Sequence, residues 1–214
     1  MNEKIGAKMQ EVYHEQYKTH GYSPKTLGCP KGRQHIRFKA LSRFVQKGAR
    51  VLDFGCGFGD LLGYLNNQKI KVDYHGCDVV DDFLDLAQKK NPDGKYFKVG
   101  IGEDLNEQFD CILSSGVFNF LYIDDKARHQ EEVFSTLERM FKACNGVLSI
   151  DFQSPFVDFI APDAYHQSIN ELIGFVVENF GRRFQIDHSY MPYEYCIHIF
   201  KDDEVLKPNN VFRS

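Results

Sequence analysis

The segment Val51-Leu52-Asp53-Phe54-Gly55-Cys56-Gly57-Phe58-Gly59-Asp60 carries the clearest chemistry in the chain. An apolar run leads into glycines at every second position and then into a helical stretch. Glycine lets backbone approach a ligand closely, and the first N–H groups of a helix offer hydrogen bonds. The pattern is that of a nucleotide-type site at the carboxyl end of a strand. A dinucleotide fingerprint begun at Gly55 needs a third glycine where Asp60 stands, and begun at Gly57 it needs one where Leu62 stands. A P-loop needs Gly-Lys followed by Ser or Thr, and none is present. Asp53 and Asp60 flank the loop. Carboxylates suit a cationic ligand or ribose hydroxyls and repel a pyrophosphate.

A further acid, Asp78, ends the run Val72-Asp73-Tyr74-His75-Gly76-Cys77-Asp78, 23 positions after Gly55. A nucleotide-binding sheet places its ribose-holding carboxylate there. The competing reading is a cap for a helix beginning near Asp81. The glycine loop at the right distance favours the ribose.

The elements that position these residues alternate. Strands are expected at Arg50–Phe54, Val72–Cys77, Lys95–Val99, Phe109–Ser114 and Gly146–Phe152, with helices at Asp60–Asn67, Asp81–Lys90 and Lys126–Ala143. Alternating strands and helices imply a parallel sheet covered on both faces. Residues 1–47 read as two helices, Glu3–Thr19 and Lys31–Gln46, forming a cap on the same domain. A core follows over 48–204 and a tail over 205–214. Tyr165–Phe180 reads as a helix. Phe184–Tyr190 and Tyr195–Lys201 read as strands joined across Met191-Pro192-Tyr193-Glu194, a connection short enough only for an antiparallel hairpin.

Composition bounds the rest. The 214 residues are 43% hydrophobic and 26% charged, ordinary for one globular domain. The net charge of -4 argues against a chain that coats nucleic acid. No run is long and apolar enough to cross a bilayer, and Met1–Gly6 lacks the core of a secretory signal, so a cytoplasmic protein is expected. The six cysteines, Cys29, Cys56, Cys77, Cys111, Cys144 and Cys196, form no Cys-x-x-Cys pair and no zinc-spaced cluster; they read as reduced thiols, and no metal is expected.

Together these segments resemble the class I S-adenosylmethionine-dependent methyltransferases. The resemblance rests on Val51–Gly59, Tyr74–Asp78 and Phe109–Gly116, in that order and spacing, and covers roughly residues 30–201. A softer likeness to a bacterial branch of that superfamily rests on Gly28, Gln34, Arg37-Phe38, Gly116-Val117-Phe118-Asn119 and Tyr190–Tyr195. The resemblance implies an α/β three-layer sandwich. Its seven-stranded, mostly parallel sheet has the order 3-2-1-4-5-7-6, with strand seven antiparallel, in agreement with the hairpin read above. It implies S-adenosyl-L-methionine as cofactor and S-adenosyl-L-homocysteine as product. Gly55, Cys56, Gly57 and Gly59 would form the loop at the methionine end, Asp53 would hold that loop, and Asp78 would bind the ribose with Val79 beside the adenine. Gly102 and Glu103 are the candidates for the adenine contact, Ser115 lies near the sulfonium, and Arg37 would pair with the cofactor carboxylate.

Methyl transfer asks the protein to align two reactants and exclude water; a base is needed only for some acceptors. Asn119, Tyr17 and His166 are the candidates on the acceptor side. Each has a plainer alternative: a turn residue, a packing ring and a structural histidine. The expected reaction is methylation of oxygen or nitrogen on a small-molecule acceptor by a monomer or homodimer. The rivals are an RNA or protein methyltransferase, a non-catalytic cofactor-binding module, and a nicotinamide-dependent reductase disfavoured by the broken fingerprint.

Overall fold

A computed structural model describes residues 2–28 and 32–201. Cys29 and the expected 205–214 tail lie outside the described residues. The elements run α1 (Asn2–His20), α2 (Gln34–Leu41), β1 (Arg50–Phe54), α3 (Asp60–Asn67), β2 (Asp73–Asp78), α4 (Asp81–Lys90) and β3 (Lys95–Lys98). They continue with β4 (Phe109–Ser114), α5 (Lys126–Lys142), β5 (Cys144–Gln153), α6 (Ile169–Asn179), β6 (Phe184–Met191) and β7 (Glu194–Phe200). The seven strands form one sheet in the order β3-β2-β1-β4-β5-β7-β6. β7 runs antiparallel to both β5 and β6, and the other pairings are parallel.

The central strands are apolar because both faces are covered. In β1, Leu52 and Phe54 pack into one core and Val51 into the other, so successive side chains serve opposite layers. Fully buried Phe58, Phe83, Phe109, Phe118 and Phe152 fill the larger core.

Two helix boundaries differ from expectation. The second helix is shorter than Lys31–Gln46: α2 ends at Leu41 and a 3₁₀ turn, Ser42–Phe44, finishes it. Its tightening lays Phe44 against His198 and Phe200 of β7. The helix expected from Tyr165 begins at Ile169, because Ser168 caps it by accepting from the Glu171 N–H. Tyr165 and His166 are held extended instead, Tyr165 by donating its N–H to the Asn119 carbonyl at 3.0 Å and His166 by a bridge to Gln153.

Candidate active site

β1 delivers its chain into the turn Gly55–Gly59, where Gly55, Gly57 and Gly59 all take positive φ. Side chains there would be strained. A Cβ at Gly55 would overlap Val117 Cγ2, and one at Gly57 would lie 3.1 Å from Leu27 Cδ2. The turn is anchored from β2. The Gly57 N–H donates to Asp78 Oδ2 at 2.9 Å, and the Val80 N–H donates to Asp78 Oδ1 at 3.1 Å. Asp78 therefore ties the loop to the start of α4 and keeps its carboxylate on the wall of a cleft. Burial raises its pKa.

Asp53 sits beneath the loop, 3% exposed, and accepts from the Tyr74 hydroxyl at 2.6 Å. Burial pushes its carboxyl up to about 7; the Tyr74 bond opposes this, and the charges of Asp78 and Asp60 reinforce it. Asp60 begins α3 and is gripped by Lys90, which also donates to the Tyr22 hydroxyl at 2.7 Å. Tyr22 in turn donates to Asp60 at 2.8 Å. This triangle pins the segment carrying Leu27 over the glycine turn.

The cleft collects Asp53, Gly55, Cys56, Gly57, Asp78, Val79, Ser115 and Arg37 from the expected set. Cys56 is buried, and desolvation lifts its thiol well above the usual range. Three expected cofactor residues lie off the cleft. Gly59 caps α3 with its carbonyl held by Asn91 at 3.0 Å. The Gly102 N–H turns to Thr136 Oγ1 of α5 at 3.1 Å, and Glu103 accepts from the Gly100 N–H at 3.2 Å. Gly100 and Ile101 line the cleft where Gly102 and Glu103 were expected.

The acceptor candidates separate. Tyr17 packs its ring on Phe58 and Phe83, and Tyr13, one turn earlier, lines the cleft instead. Asn119 is 8% exposed and uses its Oδ1 to accept from the Gln153 N–H at 2.9 Å; its Nδ2 is buried without a partner. His166 lines a neighbouring cavity, with Nδ1 2.6 Å from the Ser154 carbonyl.

Two residues escaped sequence reading. Asp151 is a fully buried acid inside β5, accepting from the Gly116 N–H at 2.7 Å and the Ser115 hydroxyl at 3.0 Å. Burial raises its carboxyl to about 6; Arg37 opposes this and Glu194 adds to it. Glu194 holds Arg37 through two hydrogen bonds. The signal for Asp151 is one carboxylate in the apolar run Val147-Leu148-Ser149-Ile150-Asp151-Phe152. A Ser–His pair, Ser149 with His198 at 2.8 Å, is fully buried under Phe44 and has no access to substrate.

Residues 52–148 match the family model described as a methyltransferase domain. That span begins in β1 and ends in β5, and so contains the glycine turn, Asp78 and Ser115. This segment is a methyltransferase domain, and the strand order around it is that of the Rossmann-like fold. The chain is 23% identical over 153 residues to a provisionally assigned methyltransferase of Mycobacterium tuberculosis, covering 71% of this chain and 92% of that protein. A provisionally assigned methyltransferase of a Geobacillus species is 28% identical over 146 residues, which cover 64% of this chain and only 57% of that protein. The magnesium protoporphyrin IX methyltransferase of Synechocystis, solved with bound S-adenosylhomocysteine, shares the fold at TM-score 0.63 and 13% identity, over 94% of this chain and 98% of that one. Among the described residues no His, Cys, Asp and Glu group could hold a metal ion, and no helix is long and apolar enough to cross a membrane.

Proposed function

We propose that this methyltransferase moves a methyl group from S-adenosyl-L-methionine to an oxygen or nitrogen atom of a small molecule. The single observation that carries the reading is Asp78. Its carboxylate ends β2, accepts from the glycine turn, and lines the same cleft as Gly55, Gly57 and Ser115. That arrangement suits an adenosine bearing a sulfonium. Asp78 would hold the ribose hydroxyls, Val79, Gly100 and Ile101 would flank the adenine, and the Gly55–Gly57 backbone and Ser115 would meet the methionine end. When bound, the cofactor supplies an electrophilic methyl on positively charged sulfur.

The chain's own residues supply binding and electrostatics. Asp53, Asp60, Asp78 and Arg37 line the cleft, so carboxylates outnumber guanidinium groups there, as a cationic ligand requires. The space open to water in the cleft is about 80 Å³, and Leu27 and Val117 on its wall lean onto the glycine turn. Both are single apolar side chains whose rotation would widen it. The solved relative acts on magnesium protoporphyrin IX, a small molecule, and the net charge of -4 supports a small acceptor over RNA.

The test is calorimetric titration with S-adenosylhomocysteine, with NAD as control, followed by an acceptor screen. Saturable binding of the first alone is the expected result. NAD binding without S-adenosylhomocysteine binding would overturn the reading.

A further inference from the structure

The chain leaves β4 as Ser115-Gly116-Val117-Phe118-Asn119, and its first three residues line the cofactor cleft. Gly116 leaves a small recess in that wall. Among the described residues, and its two chain neighbours apart, only two atoms lie within 4 Å of the place a Cβ would take. Arg37 Nη1 is 3.3 Å from it and Asn119 Nδ2 4.0 Å. Both nitrogens carry hydrogens and can only donate.

Each donor is held from behind. Glu194 takes Nε and Nη2 of Arg37, and that grip sets Nη1 beside Gly116. Asn119 Oδ1 accepts from the Gln153 N–H at 2.9 Å, which fixes the orientation of the amide. Its Nδ2 is buried and has no partner, on a residue 8% exposed. A buried donor left unpaired costs free energy that a bound oxygen recovers. The floor of the recess is fixed as well, since the Gly116 N–H and the Ser115 hydroxyl both donate to Asp151.

Charge narrows the ligand. Arg37 already faces two acids, Glu194 and Asp151. A ligand carboxylate would put a third negative group around one guanidinium. A hydroxyl brings a hydrogen of its own, and the carboxylates nearby are already accepting, Asp151 from Gly116 and Ser115, Glu194 from Arg37. An uncharged carbonyl oxygen has two lone pairs and no hydrogen, which matches two donors flanking one recess. S-adenosyl-L-methionine has no such group, so the oxygen belongs to the acceptor.

We infer that the recess over Gly116 binds an uncharged carbonyl oxygen of the methyl acceptor, as in a ketone or an amide, with Asn119 and Arg37 as its donors. The inference rests on the proposed function, because it needs the cofactor in the same cleft. The carbonyl is the handle that orients the acceptor there. Arg37 thereby serves the acceptor in place of the cofactor carboxylate that the family resemblance implies.

The experiment compares acetone, acetate and 2-propanol, molecules of similar size that offer an uncharged carbonyl, a carboxylate and a hydroxyl. Each is titrated into the S-adenosylhomocysteine complex of ¹⁵N-labelled protein and read at the Asn119 side-chain amide and the Gly116 N–H. Acetone should move both signals saturably, and at lower concentration than the other two. Asn119→Asp keeps an oxygen for the Gln153 N–H and loses the Nδ2 donor. It should weaken the acetone response at Gly116 about tenfold, the scale of one hydrogen bond, and Asn119→Ala should do the same. An unmoved Asn119 signal, acetate binding more tightly than acetone, or unchanged acetone affinity in the folded variants would overturn the inference. The wild-type titration decides the matter even where a variant does not fold. 5′-Methylthioadenosine, which lacks the amino acid end of S-adenosylhomocysteine, tests the other source of an oxygen. Asn119→Asp should leave the affinity of both nucleosides alike. A loss confined to S-adenosylhomocysteine would put the cofactor carboxylate in the recess and overturn the inference. Failure of S-adenosylhomocysteine to bind wild type would sink the proposed function, and acetone titrated into the free protein would still read the recess itself.

Discussion

Arg37 and Glu194, 157 positions apart, meet in a two-point ion pair in which Nε donates to Oε2 at 2.6 Å and Nη2 to Oε1. Their side chains are 12% and 9% exposed. The pair joins α2 to the start of β7 and divides the cofactor cleft from the cavity that His166 lines. Arg37 also faces the buried carboxylate of Asp151, so one guanidinium balances two acids. This asymmetry makes the two partners unequal. Arg37→Ala leaves both acids uncompensated, whereas Glu194→Gln leaves Arg37 with Asp151. Arg37→Ala should therefore cost about 3–5 kcal/mol of stability and Glu194→Gln clearly less. Urea unfolding of both variants and the double mutant checks this. Equal losses that add in the double mutant would show that the groups are not coupled.

Asp78 acts on the fold and the ligand at once. Asp78→Ala removes the anchor of the glycine turn as well as the ribose contact, and should weaken S-adenosylhomocysteine by about 1–3 kcal/mol, roughly 5- to 150-fold. Asp78→Asn keeps an acceptor for the Gly57 N–H and should fall between wild type and Ala. Calorimetry on folded variants decides it, and unchanged affinity for Asp78→Ala would remove the ribose assignment.

The ends of the central strands were legible because period and punctuation are local: an apolar run, a glycine turn and a helix signal sit within ten residues of one another; the strand order came only with the family resemblance. The site's charge network was not. Asp151 pairs with Gly116, and Glu194 with Arg37, only after the sheet has formed. Tyr13 and Tyr17 share a helical face in sequence, and only the path of α1 along Phe83 shows which one reaches the cleft. The family resemblance offers Gly102 and Glu103 for the adenine contact. The turn after β3 instead closes on itself through the Gly100 N–H and leaves Gly100 and Ile101 facing inward.

Leu27 lies over Gly57, 3.1 Å from where a Cβ would stand, and the Tyr22–Asp60–Lys90 triangle holds its segment down. Lys90 also sits 3.9 Å from the Tyr22 ring centre. Loosening this cover should speed ligand exchange. Tyr22→Ala is expected to raise both association and dissociation rates of S-adenosylhomocysteine in stopped-flow or surface measurements, with a smaller change in affinity. Gly57→Val should abolish binding, because its side chain enters the same space at a positive φ. Rates unaltered by Tyr22→Ala would mean the segment does not gate the cleft.

The buried histidine His198 gives stability a pH signature. It sits between Ser149 Oγ at 2.8 Å and Cys196 Sγ at 3.4 Å, with Asp187 and Arg43 as the charged groups acting on it. Burial lowers its pKa from 6.5 to about 4. A folded-state pKa below the unfolded value means the unfolded chain binds more protons in that window. The stability is therefore fully present above about pH 6.5 and is lost as pH falls toward 4, by on the order of 3 kcal/mol. Asp53 and Asp151 act oppositely. Their raised pKa values make the folded state take up protons first as pH falls from about 7. The wild-type curve alone mixes these effects, but a comparison with His198→Gln cancels them, since both carboxylates remain in each protein. The stability advantage of wild type over His198→Gln should shrink steadily between pH 6.5 and 4 in urea unfolding. An advantage constant across that window would mean that His198 is not held neutral by burial.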